Sequence, residues 1–284
     1  MLSSHRSRLL FVLSLAGVLA AVGLVAPSAV KTAPTAQAQA ATVRLEWLGW
    51  SHFRLTSPTG KVVLTNPYIT GNPDAAIGVD DVSQADLILV ADAHRDEYGD
   101  TVAIAQKTGS RVYGGSRLVR WLTQQGMPES SGPGGNQGDR LVYQGITVRQ
   151  LLSIHDNSVS APTADVFYGG VASSFMITFE NGWTVYFSGS SAATSDMALW
   201  GSMYKPDMMI FHMSGTHDTL DVAMSIKLMA TDNPNRKTLM PHHHRVSPTA
   251  GSTSIADVQA ALEGMGINIP ITNQVRTQVY EFAK

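Results

Sequence analysis

Four side chains able to bind a metal ion or to accept a proton fall within six consecutive positions. They are Asp92, His94, Asp96 and Glu97, in the segment LILVADAHRDEYGD. They follow an apolar run at 86–91, which is typical of a strand buried on both faces. If the chain stays extended there, Asp92, His94 and Asp96 point to one side, because strand side chains alternate. Imidazole and carboxylate are ligands for first-row divalent metals, so this pattern predicts a metal site.

Two distant histidines are expected to complete the site. His155 follows the strand predicted at 145–154, and His243 follows the one at 237–240. Taken alone, the acidic segment is more typical of a solvated turn or a helix cap, and the three consecutive histidines at 242–244 of an exposed loop. The convergence of three strand ends favours the metal site over these interpretations.

Several further segments occur in a diagnostic order and spacing: WLGWSHFRL, VVLTNPYITGNP, ADLILVADAHRDEYGD followed by AQKTG, GPGGNQG, LSIHD, VYFSGSS and LMPHHH. From about Val43 to Pro248 the chain resembles the metallo-β-lactamase superfamily, in particular the branch of metal-dependent hydrolases similar to ascorbate-6-phosphate lactonase. This resemblance implies a four-layer αββα sandwich and a hydrolytic metal centre. Its ligands would be Asp92, His94, Asp96, Glu97, His155 and His243.

The chain departs from the family's pattern at several of these positions. The family motif His-x-His-x-Asp-His reads DAHRDE at 92–97, so that Asp92 and Glu97 replace histidines. Ser190 stands where the family has the aspartate that bridges two metals. Trp50 and Asn66 stand where related hydrolases usually carry a histidine and an aspartate, so residues around the ligands are altered too.

The resemblance therefore implies one metal site rather than two. A first ion would take Asp92, His94 and His155, with an open fourth position. A second would have Asp96, Glu97 and His243 but no bridging carboxylate. Replacing imidazole by carboxylate shifts preference from zinc towards manganese, iron or magnesium, although zinc remains compatible. The predicted chemistry is hydrolysis of an ester, lactone or phosphodiester by metal-activated water, with Asp96 or Glu97 as the base.

A metal-free alternative belongs to a different functional class. With the three candidate histidines protonated, they would offset the three carboxylates in a cluster that needs no ion. The domain would then be catalytically inactive, a binding or accessory subunit of an extracytoplasmic or membrane-associated complex.

Three other features have open interpretations. His212 and His217, in FHMSGTHD, either replace a lost ligand or serve as helix-capping or loop residues. The run DNSVSAPTADVFYGGV suits a lid over a pocket or a surface that docks a partner protein. Trp47, Trp50 and Phe53 are interpreted as core residues.

The N-terminal segment predicts export. Arg6 and Arg8 precede an apolar run at 9–25, and AQA at 38–40 supplies small residues for cleavage. We therefore predict a signal peptide at 1–40, a single domain at 41–284, and a periplasmic or extracellular location. The alternative is an uncleaved membrane anchor, because the run approaches the roughly 20 residues needed to span a bilayer.

Composition narrows the possible partners. Of 20 basic residues, Arg6, Arg8 and Lys31 belong to the predicted leader, which leaves 17 against 22 acidic ones. This mildly acidic balance argues against nucleic acid and leaves a small molecule as the expected substrate. The absence of cysteine excludes disulfides, thiolate ligands and cysteine nucleophiles.

The elements that must position these residues alternate along the chain. Strands are predicted at 43–48, 52–56, 61–65, 86–91, 111–113, 141–154, 173–188, 207–212, 237–240 and 278–282, and helices at 101–108, 116–125, 219–230 and 255–264. The strand runs at 141–154 and 173–188 are each predicted to fold back as a β-pair. Hairpins mixed with strand–helix units in one chain of this size predict two stacked sheets with helices outside.

Overall fold

The computed structural model describes residues 42–159 and 166–284. The predicted signal peptide and part of the predicted lid lie outside these ranges. The strands are β1 (Val43–Trp47), β2 (Phe53–Thr56), β3 (Val62–Thr65), β4 (Leu87–Val90), β5 (Arg111–Gly114), β6 (Arg140–Tyr143), β7 (Ile146–Leu152), β8 (Ser158–Val159), β9 (Phe167–Tyr168), β10 (Ser173–Thr178), β11 (Thr184–Phe187), β12 (Met208–His212), β13 (Thr238–His242) and β14 (Val279–Phe282). The helices are α1 (Arg95–Tyr98), α2 (Thr101–Thr108), α3 (Ser116–Gln124), α4 (Asp196–Tyr204), α5 (Thr219–Met229) and α6 (Ile255–Gly264).

Two six-stranded sheets form the body of the domain. The first has the order β14-β1-β2-β3-β4-β5 and the second β13-β12-β11-β10-β7-β6, while β8 and β9 form a separate two-stranded ribbon. In the first sheet β3, β4 and β5 are parallel, and in the second β11, β12 and β13 are parallel. The remaining neighbours pair antiparallel, which gives two mixed sheets.

Alternating side chains sort the core into three layers. Along β4, Leu87 and Leu89 pack into a cluster shared by both sheets, whereas Ile88 and Val90 pack against helices α2 and α3. In the second sheet Phe211 points outward to α4, α5 and α6 in the same way. This is the predicted four-layer αββα sandwich, and burial on both faces explains why β4 is apolar throughout.

One edge of the sandwich collects the polar residues. Strands β3, β4, β7, β11, β12 and β13 run in a common direction within their sheets and end at this edge. The chain leaves β-structure there, so side chains just after those strands meet around a single depression.

Two local predictions were wrong. The chain does not stay extended to Asp96, because the helical turn α1 starts at Arg95. Helix α4 was not predicted, since its apolar residues surround it: Met197 and Trp200 are buried while Leu199 and Met203 are exposed, which leaves no amphipathic period. Within 42–159 and 166–284, every helix is too short or too polar to cross a bilayer.

Candidate metal centre

Asp92, His94 and His155 form the first of two groups at this edge, and we call them the donor cluster. One ligand atom from each lies within 4.8 Å of the other two. Asp92 and His94 follow β4, and His155 follows β7. The His94 and His155 rings stand edge to face with centroids 5.0 Å apart. The structure thus brings together the three residues expected to hold the first metal ion.

Asp92 has an unsatisfied oxygen inside this cluster. Its carboxyl is fully buried, and Oδ1 accepts hydrogen bonds from the His94 backbone N–H at 3.0 Å and pairs with His94 Nδ1 at 2.8 Å. Oδ2 is buried and has no hydrogen-bond partner among residues 42–159 and 166–284. A buried carboxylate oxygen without a partner is costly. A divalent cation held by one carboxylate and two imidazoles would satisfy it, so the donor set fits a metal ion.

The two histidines of the donor cluster differ in proton affinity. The hydrogen bond with Asp92 raises the pKa of His94, against the opposing effect of burial. Burial lowers the pKa of His155. A neutral His155 is suited to ligation, whereas the charge-balanced alternative requires this ring to be protonated.

Asp96, Glu97 and His243 form the second group, which we call the carboxylate network. His243 Nε2 lies 3.3 Å from Asp96 Oδ2 and 3.5 Å from Glu97 Oε1. Trp50 Nε1 donates to Asp96 Oδ2 at 3.1 Å. Burial alone would raise the pKa of Asp96, but the hydrogen bond and charge of His243 lower it to about 2. Asp96 is therefore an anion throughout the physiological range.

Glu97 is enclosed by neutral donors. Ser51 Oγ and Ser190 Oγ donate to Oε1 at 3.0 and 2.8 Å, and Asn66 Nδ2 donates to Oε2. Its side chain is 1% exposed. Burial, followed by the charges of Asp92 and Asp96, raises the pKa of Glu97 well above its usual value. Ser190 thus supports Glu97 at the position where a bridging carboxylate was expected.

Unusual backbone conformations hold this network in place. Trp50, Asn66 and His243 have positive φ angles of 58°, 38° and 63°, which non-glycine residues rarely adopt. The His243 N–H donates to the Trp50 carbonyl at 3.2 Å. Gly189, before Ser190, has φ 55°, and a Cβ there would lie 2.4 Å from the Ser173 carbonyl oxygen. Only glycine allows β11 to end so close to β10.

The structure changes three sequence-based interpretations. Trp50 was interpreted as core, but it lies in a turn and binds Asp96. His212 ends β12 and is buried, whereas the N-cap of α5 is Asp218, so neither His212 nor His217 caps that helix. His242 is wholly buried rather than in an exposed loop. Ser51 was missed, because a serine in a turn gives no sequence signal of this role.

Two small cavities open beside the carboxylate network. One of about 300 Å³ is lined by Trp50, Tyr68, Pro73, Arg95, Asp96 and Arg245. The other, of about 270 Å³, borders Trp50 and His243. A larger cleft of about 1060 Å³ lies beyond His244 between Trp47 and the segment at 271–277, and no residue of the donor cluster lines it.

The sequence that forms this candidate centre matches a known protein family. The model of the β-lactamase superfamily domain matches residues 61–258, which span β3 to α6. The chain belongs to the metallo-β-lactamase superfamily. The matched residues include every candidate ligand, from Asp92 to His243.

Relatives within the superfamily match nearly the whole chain. A protein of Polynucleobacter asymbioticus named a metal-dependent hydrolase is 32% identical over 276 residues, covering 90% of this chain and 94% of the relative. One of Cupriavidus taiwanensis with the same kind of name is 30% identical over 262 residues, covering 87% and 90%. The solved structure of a metallo hydrolase from Ignicoccus hospitalis, 22% identical, superposes with a TM-score of 0.70 over 86% of this chain and 99% of the other. The last likeness supports the fold.

Proposed function

We propose that this protein is an exported metal-dependent hydrolase with one well-formed metal site, at Asp92, His94 and His155. The observation that carries the proposal is the buried Oδ2 of Asp92, which has no partner in the described part of the chain and lies among ligand atoms within 4.8 Å of one another. The names of the superfamily relatives, metal-dependent hydrolases, are consistent with it. Zinc, manganese and iron all match one carboxylate and two imidazoles.

The residues around the metal site have different proposed roles in the reaction. A divalent ion there would supply a Lewis acid that polarises a carbonyl or phosphoryl oxygen and acidifies water. Asp96 stays ionised and is 33% exposed, so it accepts a hydrogen bond from the attacking water and orients it. Glu97 is less suited, because its oxygens are occupied by Ser51, Asn66 and Ser190. Of the two predicted bases, we therefore assign the role to Asp96.

The substrate is proposed to be a small ester, lactone or phosphodiester. The cavity of about 300 Å³ beside Asp96 is at the small end of ligand pockets. Arg95 and Arg245 line it, and Arg245 stacks on Trp50 with its Cζ 5.5 Å from the ring centroid. These two guanidinium groups favour a substrate with an anionic substituent.

Export is supported by the basic and apolar pattern at 1–40 alone. The mass of the exported product tests it: a mature chain beginning at Ala41 supports cleavage, whereas an intact leader supports the membrane anchor.

Metal analysis tests the hydrolase proposal. We expect the purified wild type to contain stoichiometric metal, and His94→Ala and His155→Ala each to lose one ion per chain together with activity on a chromogenic ester, lactone or phosphodiester. The second candidate, a non-catalytic binding domain, is favoured by the carboxylate network, in which both carboxyl groups have protein partners without an ion. A folded, metal-free wild type would select this candidate.

A further inference from the structure

His212 is a buried histidine that the proposed reaction does not use. It is the last residue of β12 and is 5% exposed, and neither ring nitrogen has a hydrogen-bond partner among the residues that the structure describes. Leaving a buried polar group unpaired is unfavourable. Because desolvation lowers the pKa of His212 well below its usual value, the ring is neutral and offers a lone pair.

Histidine rings surround this unpaired group. The centroid of His217 lies 4.2 Å from that of His212, the centroid of His243 lies 4.7 Å away, and both pairs are edge to face. His155 of the donor cluster is more distant, at 6.3 Å. His212 is therefore central to a group of imidazoles separate from Asp92 and His94.

The two flanking histidines are already oriented as metal ligands usually are. A ligating histidine normally uses one ring nitrogen for the metal and the other for a carboxylate, carbonyl or hydroxyl. His243 Nε2 pairs with Asp96 at 3.3 Å, while its buried Nδ1 has no partner within the described ranges. His217 Nδ1 pairs with Ser214 Oγ at 2.7 Å, which leaves Nε2 available.

We propose that His212, His217 and His243 form a second metal site with nitrogen donors only. An all-imidazole site suits zinc, copper or nickel, in contrast to the carboxylate-containing donor cluster. Among the described residues, only the donor cluster has ligand atoms within 4.8 Å of one another as the structure stands. The nitrogens of the imidazole site are farther apart, so its rings rotate towards the ion when it binds. The inference goes beyond the proposed hydrolase and does not require its activity.

Cobalt binding to the chelator-treated full chain tests this site. Equilibrium dialysis with Co²⁺ and elemental analysis should give two ions per wild-type chain and one for His217→Ala, whose half-buried side chain can be removed with little strain. His212→Phe, which keeps the ring volume, should also give one. The second ion should bind at least about 100-fold more weakly in both variants. His244→Ala is the matched control: that ring stacks on Trp47 with centroids 4.8 Å apart, and two ions should remain.

The His94→Ala variant shows which of the two sites binds each ion. This variant should keep one ion, and adding His217→Ala should remove it. With Cu²⁺ bound to His94→Ala, electron paramagnetic resonance should show hyperfine coupling to several nitrogens. Circular dichroism of each variant verifies folding.

Three outcomes would overturn the imidazole site. A single ion in wild type that His94→Ala removes would leave the hydrolase proposal standing. A second ion indifferent to both His217→Ala and His212→Phe would place it elsewhere. No bound metal in folded wild type would refute both proposals.

Discussion

The donor cluster and the carboxylate network lie at the same edge of the sandwich, yet their buried carboxyl groups are in opposite situations. Asp92 keeps one oxygen that no described residue contacts through a hydrogen bond. Glu97 has donors on both oxygens, from Ser51, Asn66 and Ser190. A buried carboxyl group must be satisfied by protein donors or by a cation. The first group is thus arranged around a missing positive charge, whereas both carboxyl groups of the second have protein donors.

This difference explains how the departures from the family's pattern at Glu97, Ser190 and Asn66 depend on one another. A serine at 190 removes a negative charge from the interior and adds a hydroxyl that Glu97 accepts. Asn66 contributes through both ends of its amide, since Oδ1 accepts from the Ala91 N–H at 2.9 Å while Nδ2 donates to Glu97. Glu97, Ser190 and Asn66 therefore act together as a structural replacement for a metal-binding position.

The largest expected effect comes from removing Glu97. Glu97→Ala should lower the free energy of unfolding by about 3 kcal/mol, because the buried Asn66 amide and two serine hydroxyls lose their acceptor. Urea denaturation measures this loss. Glu97→Gln keeps the volume and one carbonyl oxygen and should cost about 1 kcal/mol. Both variants should retain the metal of the donor cluster, and loss of that ion in Glu97→Gln would contradict the division into two groups.

Removing Asp92 should instead weaken metal binding. Asp92→Ala is expected to weaken metal binding about 100-fold, equivalent to about 2.7 kcal/mol, because it deletes a ligand. Competition with a chromogenic chelator measures the change. Asp156→Asn is the control: this carboxylate lies 3.6 Å from His94 Nε2 but is 62% exposed. A larger loss in Asp156→Asn than in Asp92→Ala would identify Asp156 as the ligand instead.

Sequence reasoning succeeded where a residue's position follows from strand direction. The apolar run of β4 placed Asp92 and His94 at a strand end, and the run of β7 placed His155 at another. Within each mixed sheet, the strands that carry these residues run in the same direction. Their ends therefore meet at one edge, so the proximity of the residues follows from topology. Asp96 was misplaced because α1 begins at Arg95, and a four-residue helical turn carries no periodicity in sequence.

Other features of the site depend on contacts that no pattern encodes. Ser51 and Glu97 are hydrogen-bonded across 46 positions, and Ser190 and Glu97 across 93. His212 has neighbours from three separate segments, and its unpaired nitrogens become visible only once burial is known. Fold and ligand candidates were therefore accessible from sequence, whereas the distinction between satisfied and unsatisfied carboxyl groups was not.

The smallest predicted effect is a pH dependence that separates metal-free from metal-loaded protein. In the chelated state the Asp92 hydrogen bond raises the pKa of His94 above its usual 6.5. The resulting stabilisation is fully present below pH 6.5 and is lost as pH rises through the folded-state value. The buried histidines with lowered pKa values, such as His155, titrate below 6.5. The pKa of Glu97 is also raised, so the comparison with a His94 variant is what separates the contribution of His94 from that of Glu97.

Metal binding should reverse that dependence. Ligation requires a neutral His94, so the stabilisation by metal grows as pH rises through the same window. Thermal unfolding at pH 6.5 and about two units higher should show Tm falling for chelated wild type and the metal-induced rise in Tm increasing. His94→Gln, which cannot titrate there, should remove both trends. If chelated wild type and His94→Gln respond equally to pH, the proton released on metal binding does not come from the Asp92–His94 pair. The contrast between the two carboxyl environments would then lose its chemical basis.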